Sequence, residues 1–253
     1  MQILGAVCWR TWLKTARRPV VLTFSFVQPI MWILFFGFLF HRFNLGLNLR
    51  GVRYLDFLVP GVCAMTVLFG ASQSGIGLIR DMQTGFLQRL FATTANPGVV
   101  LCGKLLADVT RLLAQAVMIA LLGLALGAKL HLTLTGLLAS LLALGLFAVA
   151  FCSLSCWVAM VTGAQESMAT FVHLVNMPLL FTSSALVPAR QMPDWLAAIS
   201  RVNPLTLAVD ASRDALLLGN FGSLGLALTL LATIGIVLLS VAWTTANGLR
   251  RET

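Results

Sequence analysis

Four groups of residues have types and spacings that could do chemistry at a membrane or against a partner. The first is Trp9, Arg10, Trp12, Lys14 and Arg17. At 100° per residue Arg10, Lys14, Arg17 and Arg18 share one arc, opposite Gly5, Cys8, Trp9, Trp12 and Leu13. Residues 1–18 are therefore expected as an amphipathic interfacial helix, its Trp face toward lipid and its basic face toward headgroups. Such a helix either anchors the chain alone or also touches a cytoplasmic partner. The second group lies in RDMQTGFLQRLFATTANP, residues 80–97, where Phe86, Leu87, Leu90 and Phe91 recur at spacings of three and four, with Gln83, Gln88, Arg89 and Thr93 elsewhere around the helix. Gly85 permits a bend before this short helix, and Asn96-Pro97 supplies a cap and a first-turn proline for the next one. It either lies on the bilayer or docks into a groove of a separate protein, and its mixed Arg/Gln surface suits docking.

The third group lies in residues 190–220. Pro193-Asp194 starts a helix with Trp195, Leu196, Ile199 and Val202 along one stripe. Asn203-Pro204 then caps a second, with Leu205, Ala208, Val209 and Leu216 set against Asp210, Arg213 and Asp214. Both pieces are too short to span, so they are expected as a hairpin dipping into the outer leaflet, with Asp210 and Arg213 placed to pair. The fourth group is polar side chains inside apolar runs: Gln28, Gln73, His173 and Asn176. They either line a translocation path or make interhelical hydrogen bonds worth about 0.6 kcal/mol each.

Other chemistry is missing from the pattern. There is no GxxxxGK[ST] phosphate loop, so energy must come from another chain or from an ion gradient. No catalytic, metal-binding or cofactor-binding constellation is expected: His41 and His131 fall at the outer edge and His173 stands alone. The cysteines at 8, 63, 102, 152 and 156 form no CxxC pair and read as packing residues, with Ala148, Cys152 and Cys156 as a small-residue seam. Glu166 is expected as a solvated loop acid or a cytoplasmic gate. An ion-coupled secondary transporter is the alternative reading, set back because no span offers a buried carboxylate or lysine at mid-depth.

The elements that must position these residues follow from the solvent. The chain is 59% hydrophobic and 10% charged with a mean hydropathy of +0.94, where a soluble domain is about 25% charged. The net charge of +9 points to anionic headgroups rather than nucleic acid. A spanning helix needs about 20 apolar residues, which selects six transmembrane helices near 19–40, 55–79, 101–127, 133–161, 168–188 and 223–247. Lys104, Asp108 and Arg111 are expected only in the opening turns of the third. No cleavable signal peptide is read, so the first span is expected to stay. Lys and Arg number nine on one side and seven on the other. The clusters Arg17-Arg18 and Arg250-Arg251 abut spans, which puts both termini in the cytoplasm. The expectation is one all-α membrane domain over residues 1–253.

The stretches RDMQTGFLQRLFATTANP and SSALVPARQMPDWLAAISRVNPLTLAVDASRDALL, in this order between spans, resemble the signature segments of the ABC transporter type-2 permease family. Within it the chain is most similar to drug-resistance and lipo-oligosaccharide exporter permeases, over nearly its whole length. The resemblance implies a non-catalytic exporter subunit in a bacterial cytoplasmic (inner) membrane, in a homodimer or heterodimer bound to two cytoplasmic ABC ATPase subunits, which hold the ATP and Mg. It makes residues 85–94, with Gly85, Phe86, Leu87, Arg89, Leu90 and Phe91, the cytoplasmic coupling helix. It makes the N-terminal helix the connecting helix, and residues 190–217, with Trp195, Asn203, Pro204, Asp210 and Arg213, the outer re-entrant helices. The family's acid just before the glycine is replaced here by Gln83-Thr84, the nearest acid being Asp81.

Overall fold

The structure, a computed structural model, describes residues 5, 8–13, 19–40, 53–86, 96–131, 133–219, 222 and 224–249, with the side chains of 19–24, 218 and 249 outside that set. Among the described residues every regular element is helical. In chain order these are α1 (Pro19–Leu39), α2 (Tyr54–Gln83), α3 (Pro97–Ala125), α4 (Leu134–Thr162) and α5 (Gln165–Phe181), then α6 (Asp194–Val202), α7 (Pro204–Arg213) and α8 (Leu224–Leu249). A 3-10 turn, Ala189–Gln191, precedes α6, and a π turn, Asp214–Leu218, follows α7.

Four helices are long and apolar enough to cross a membrane: α2, α3, α4 and α8 over Leu224–Gly248. α1 has 21 residues with an apolar stretch over Ser25–Leu39, and α5 has 17. Local signals set the ends. The Asn96 side chain accepts the Gly98 N–H at 2.9 Å to start α3, Thr133 accepts from Gly136 at 3.1 Å to start α4, and Gly163, at φ +63°, ends α4. The Asn203 side-chain Oδ1 caps α7 by accepting from the Leu205 N–H at 2.8 Å.

α2 is the inner helix. It packs against α1, α3, α4, α5 and α7, and 83% of its apolar window is buried against 17% for α8. α8 rests on α3, α4 and α7 at the periphery. Phe40, just past the end of α1, lies tilted on Tyr54 of α2 at 5.0 Å between ring centres and seats α1 on α2, while Trp32 stacks on Phe36 along α1 at 5.0 Å. Against α4, α2 comes in to backbone distance. The Gly75 N–H donates to the Ser155 hydroxyl at 2.9 Å, and that hydroxyl donates to the Ser72 carbonyl at 2.7 Å. The seam of Ala148, Cys152 and Cys156 is wholly buried, as the four-residue spacing suggested.

Four boundaries differ from the sequence expectation: α2 runs on to Gln83 rather than ending near residue 79, and α5 opens at Gln165 rather than near 168, which places Glu166 in its first turn instead of a loop. α3 opens at Pro97 rather than near residue 101, so Lys104, Asp108 and Arg111 stand two to four turns inside it, Arg111 at the middle of its 29 residues. They are not confined to its opening turns. α5 ends at Phe181, and residues 182–188 turn, because Pro178 sits within the last helical turn and Asn203 draws the Leu179 carbonyl aside at 2.8 Å.

The α2–α4 approach rests on Gly75. A Cβ there would meet the Ser155 hydroxyl at 2.6 Å and Met168 Cε at 2.7 Å, as well as the Ser155 carbonyl. Gly75→Ala is expected to cost about 2 kcal/mol by overpacking, although alanine favours helix elsewhere. Gly145→Ala, whose Cβ would make an ordinary 3.6 Å contact with Leu113, serves as the neutral control. Thermal unfolding of the purified variants in detergent checks the difference.

Candidate functional site

α1, α2, α3 and α5 leave between them a cleft of about 720 Å³. Along α2 it is lined from Val62 to Asp81, about 28 Å at 1.5 Å per residue, which is close to the thickness of a bilayer core. One end is apolar, with Trp32, Val62, Met65, Phe69 and Met177. The other is charged, with Arg80, Asp81, Lys104 and Asp108, and Arg111 follows toward mid-depth. Gln28, Gln73 and His173, singled out in the sequence, all line this cleft. Asn176, one turn from His173, does not share its face: it is buried behind the wall, where its side-chain oxygen accepts from the Ser72 hydroxyl at 2.9 Å.

The charged wall is what sequence reasoning missed. Lys104 Nζ lies 2.5 Å from Asp108 Oδ2 and donates to the Ser74 hydroxyl at 2.8 Å, and Ser74 in turn donates to Asp108 Oδ2 at 2.5 Å. Cys156 Sγ lies 3.4 Å from the same hydroxyl. Lys104 and Asp108 are buried well inside α3, so the expectation that no span offers a buried carboxylate or lysine at mid-depth is corrected. The signal was present: Lys104, Asp108, Arg111 and Gln115 fall at i, i+4, i+7 and i+11, one stripe of a helix. Starting the span at residue 101 moved that stripe toward the interface.

At the charged end the N-terminal segment closes on the cleft. The Arg10 guanidinium lies over the Phe86 ring, 3.5 Å from its centre, and 3.7 Å from Asp81 Oδ1. Arg10 thus faces protein rather than headgroups, because an aromatic face and a carboxylate meet it there. Trp9 is exposed, whereas the Trp12 indole donates to the Thr110 hydroxyl at 3.1 Å. Gly85, at φ +70°, turns the chain out of α2, and Phe86 is half-buried against the core. Lys14, Arg17, Leu87, Arg89, Leu90 and Phe91 lie outside the described residues.

At the opposite end α6 and α7 meet at Asn203-Pro204. Trp195 is exposed, as are Ile199 and Val202. Arg213 is not on the polar side of α7 but buried. Its guanidinium donates to the Phe57 carbonyl at 3.1 Å, the Ser184 carbonyl at 2.8 Å, the Ala185 carbonyl at 2.8 Å and Asp210 at 3.3 Å, and lies 3.4 Å above the centre of the Phe57 ring. Burial draws Arg213 down to about 10, which leaves it cationic at neutral pH. Burial pushes the Asp210 carboxyl above its ordinary range, against the pull of Arg213. Among the described residues no cluster of three or more His, Cys, Asp or Glu could hold a metal.

Comparison with known proteins adds to this geometry. The family model for ABC-2 type transporters matches residues 2–217. The transport permease ycf38 of Cyanophora paradoxa is 30% identical, over 84% of this chain and 73% of the relative. The daunorubicin resistance ABC transporter permease protein DrrB1 of Streptomyces coeruleorubidus is 28% identical, over 90% of this chain and 80% of its own. Nodulation protein J of Rhizobium meliloti is 26% identical, over 71% of each.

Two outcomes follow from the side-chain geometry. Lys104→Met or Asp108→Leu alone strands a buried charge and is expected to lose about 3 kcal/mol, while the double variant recovers most of it. Thermal unfolding of all three in one detergent measures the coupling. Arg213→Lys removes the planar fork that reaches several carbonyls at once, at an expected cost of about 3 kcal/mol. Limited proteolysis of the segment 182–203 should accelerate in parallel.

Proposed function

This chain belongs to the ABC-2 type transporter family, and from that premise we propose that it exports an amphipathic drug, lipid or lipid-linked glycan with energy from ATP hydrolysed elsewhere. It is a transmembrane ABC transporter subunit, a multi-pass membrane protein, and its family works with an ABC ATPase subunit. In the proposed assembly two ATPase copies bind ATP and Mg²⁺ and meet two permease copies, this chain with itself or with a relative. All six long helices span a bacterial inner membrane, with both termini in the cytoplasm. Residues 85–94 form the coupling helix, the N-terminal helix lies beside it as the connecting helix, and 190–217 re-enter the outer leaflet. Gln28, Gln73 and His173 line the cargo path, and this chain itself carries no catalytic role.

The observation that supports this most directly is the continuity of α2. One unbroken helix of 30 residues forms the long wall of the cleft and ends at Gln83, two residues before Gly85 and Phe86. A push on Phe86 therefore reaches the cleft wall through a rigid rod, and the Arg10 clamp carries it to the N-terminal helix as well. Tilting that rod against a second copy would open the cleft to one side and then the other. The name of the Streptomyces relative, a daunorubicin resistance permease, supports an amphipathic cargo. A second reading, an ion-coupled carrier, gains from Asp108 the buried acid it requires, although the pairing of Asp108 with Lys104 suits a structural role.

Reconstituted vesicles holding this chain and its ATPase separate the readings. Transport is expected to need hydrolysable ATP and to persist with a protonophore; the reverse pattern would establish the carrier. Phe86→Asp and Leu90→Asp are each expected to reduce cargo-stimulated ATP hydrolysis by tenfold or more while the chain still inserts. Full stimulation in both would remove the coupling role.

A further inference from the structure

The charge on the cleft wall is unbalanced. Asp108 is engaged by Lys104 and Asp81 by Arg10, which leaves Arg80 and Arg111 with no ion pair or hydrogen bond to their side chains among the described residues. Arg80, in the last turn of α2, suits the negative end of that helix. Arg111 has no such account. It stands at mid-helix in α3, half-buried, and turns into the cleft. Asp108, one turn back, attracts it along the wall but is already bonded to Lys104 and Ser74, so the Arg111 donors themselves meet no anion. A cation so placed at mid-span costs several kcal/mol unless something anionic meets it. Beyond it, toward the other end of the cleft, lie Trp32, Met65, Phe69 and Met177, a wall fit for hydrocarbon.

We propose that this cleft selects amphiphiles with an anionic, phosphate-type headgroup, held at Arg111 with the tail laid along Trp32, Met65 and Phe69, and that Arg80 is the entry station. The two arginines are rooted at different levels of the cleft. Ser74 and Asp108 mark the same level on α2 and α3. Arg80 lies six residues from that level in one direction and Arg111 three in the other, a separation of about 13 Å at 1.5 Å per residue. In this proposal anion capture at the mouth and anion binding at mid-depth are separate steps. The Lys104–Asp108 pair stands between them, neutral as a pair, so its acid does not repel a passing headgroup. The guanidinium fork matches phosphate geometry, which a neutral head would leave unpaired. This inference rests on the reading of the cleft as the cargo path.

The test uses the permease–ATPase complex in phosphatidylcholine nanodiscs, with brominated-tail lysophosphatidic acid and the monoacylglycerol of the same tail as probes. Quenching of tryptophan fluorescence that disappears in Trp32→Phe reports tail occupancy of the cleft. Lysophosphatidic acid is expected to bind at least tenfold more tightly than the monoacylglycerol. Arg111→Gln should erase that preference by weakening only the anionic probe, about tenfold, and Arg111→Lys should restore most of it. Arg80→Gln should slow association about threefold at low salt and leave dissociation unchanged. Equal affinity for both probes in the native complex, or a preference that survives Arg111→Gln, overturns the proposal. So does inorganic phosphate that competes with lysophosphatidic acid at equal affinity, since the tail would then contribute nothing. If the monoacylglycerol quenches Trp32 and stimulates hydrolysis as well as the anionic probe does, the headgroup inference falls and the cleft remains the cargo path. If neither probe quenches Trp32, the cargo-path reading falls with it.

Discussion

Hydrocarbon offers no partner to a peptide N–H or C=O, and every feature of this fold is an answer to that shortage. Within α2, α3, α4 and α8 the answer is the helix itself. Where a helix stops inside the protein, a side chain has to take over. Asn203 donates to the Leu179 carbonyl and the Thr182 hydroxyl at the end of α5, and Arg213 collects the Ser184 and Ala185 carbonyls that the turn after α5 presents, together with the Phe57 carbonyl in the first turn of α2. A guanidinium suits this place because its donors lie in one plane, and the Phe57 ring covers its face.

The same shortage gives small residues their role. Lipid tails are as apolar as leucine, so helices gain by close packing and by hydrogen bonds between them rather than by burial from water. Gly75, Ser72 and Ser155 let α2 and α4 approach until side-chain hydroxyls bond to the facing backbone, and Ser74 joins the Lys104–Asp108 pair on the α3 side. With α2 held tightly from those two sides, and with the short α5 resting mainly on α2 and less on α4, a cleft stays open between α1, α2, α3 and α5. The cleft is the consequence of that asymmetry, and its charged lining comes from α2 and α3.

The cleft and the segment after α2 are joined by a single rod. Because α2 is buried along most of its length, it cannot tilt without moving the walls around it. Its end is held by Arg10, which ties Phe86 and Asp81 to the N-terminal segment while Trp12 binds that segment to Thr110 on α3. Two walls of the cleft therefore share one mechanical terminus.

The residues alone determined the solvent, the helical class, the caps at Asn96 and Asn203 and the small-residue seam, because each depends on composition or on spacing along one helix; that Gln28, Gln73 and His173 meet at one cleft is a matter of packing. Three-dimensional packing alone decided the rest. Arg213 reads as a polar-face residue at its position in α7, and only the turn of carbonyls arriving from residues 184 and 185 explains its burial. Arg10 reads as a headgroup ligand until Phe86 and Asp81 meet it. Lys104, Asp108 and Arg111 carry a visible one-sided spacing, but their depth depends on where α3 begins and their meaning on Ser74 from another helix. Spacing reports which face of a helix a residue occupies, whereas the neighbour that face finds is set by how separate helices pack.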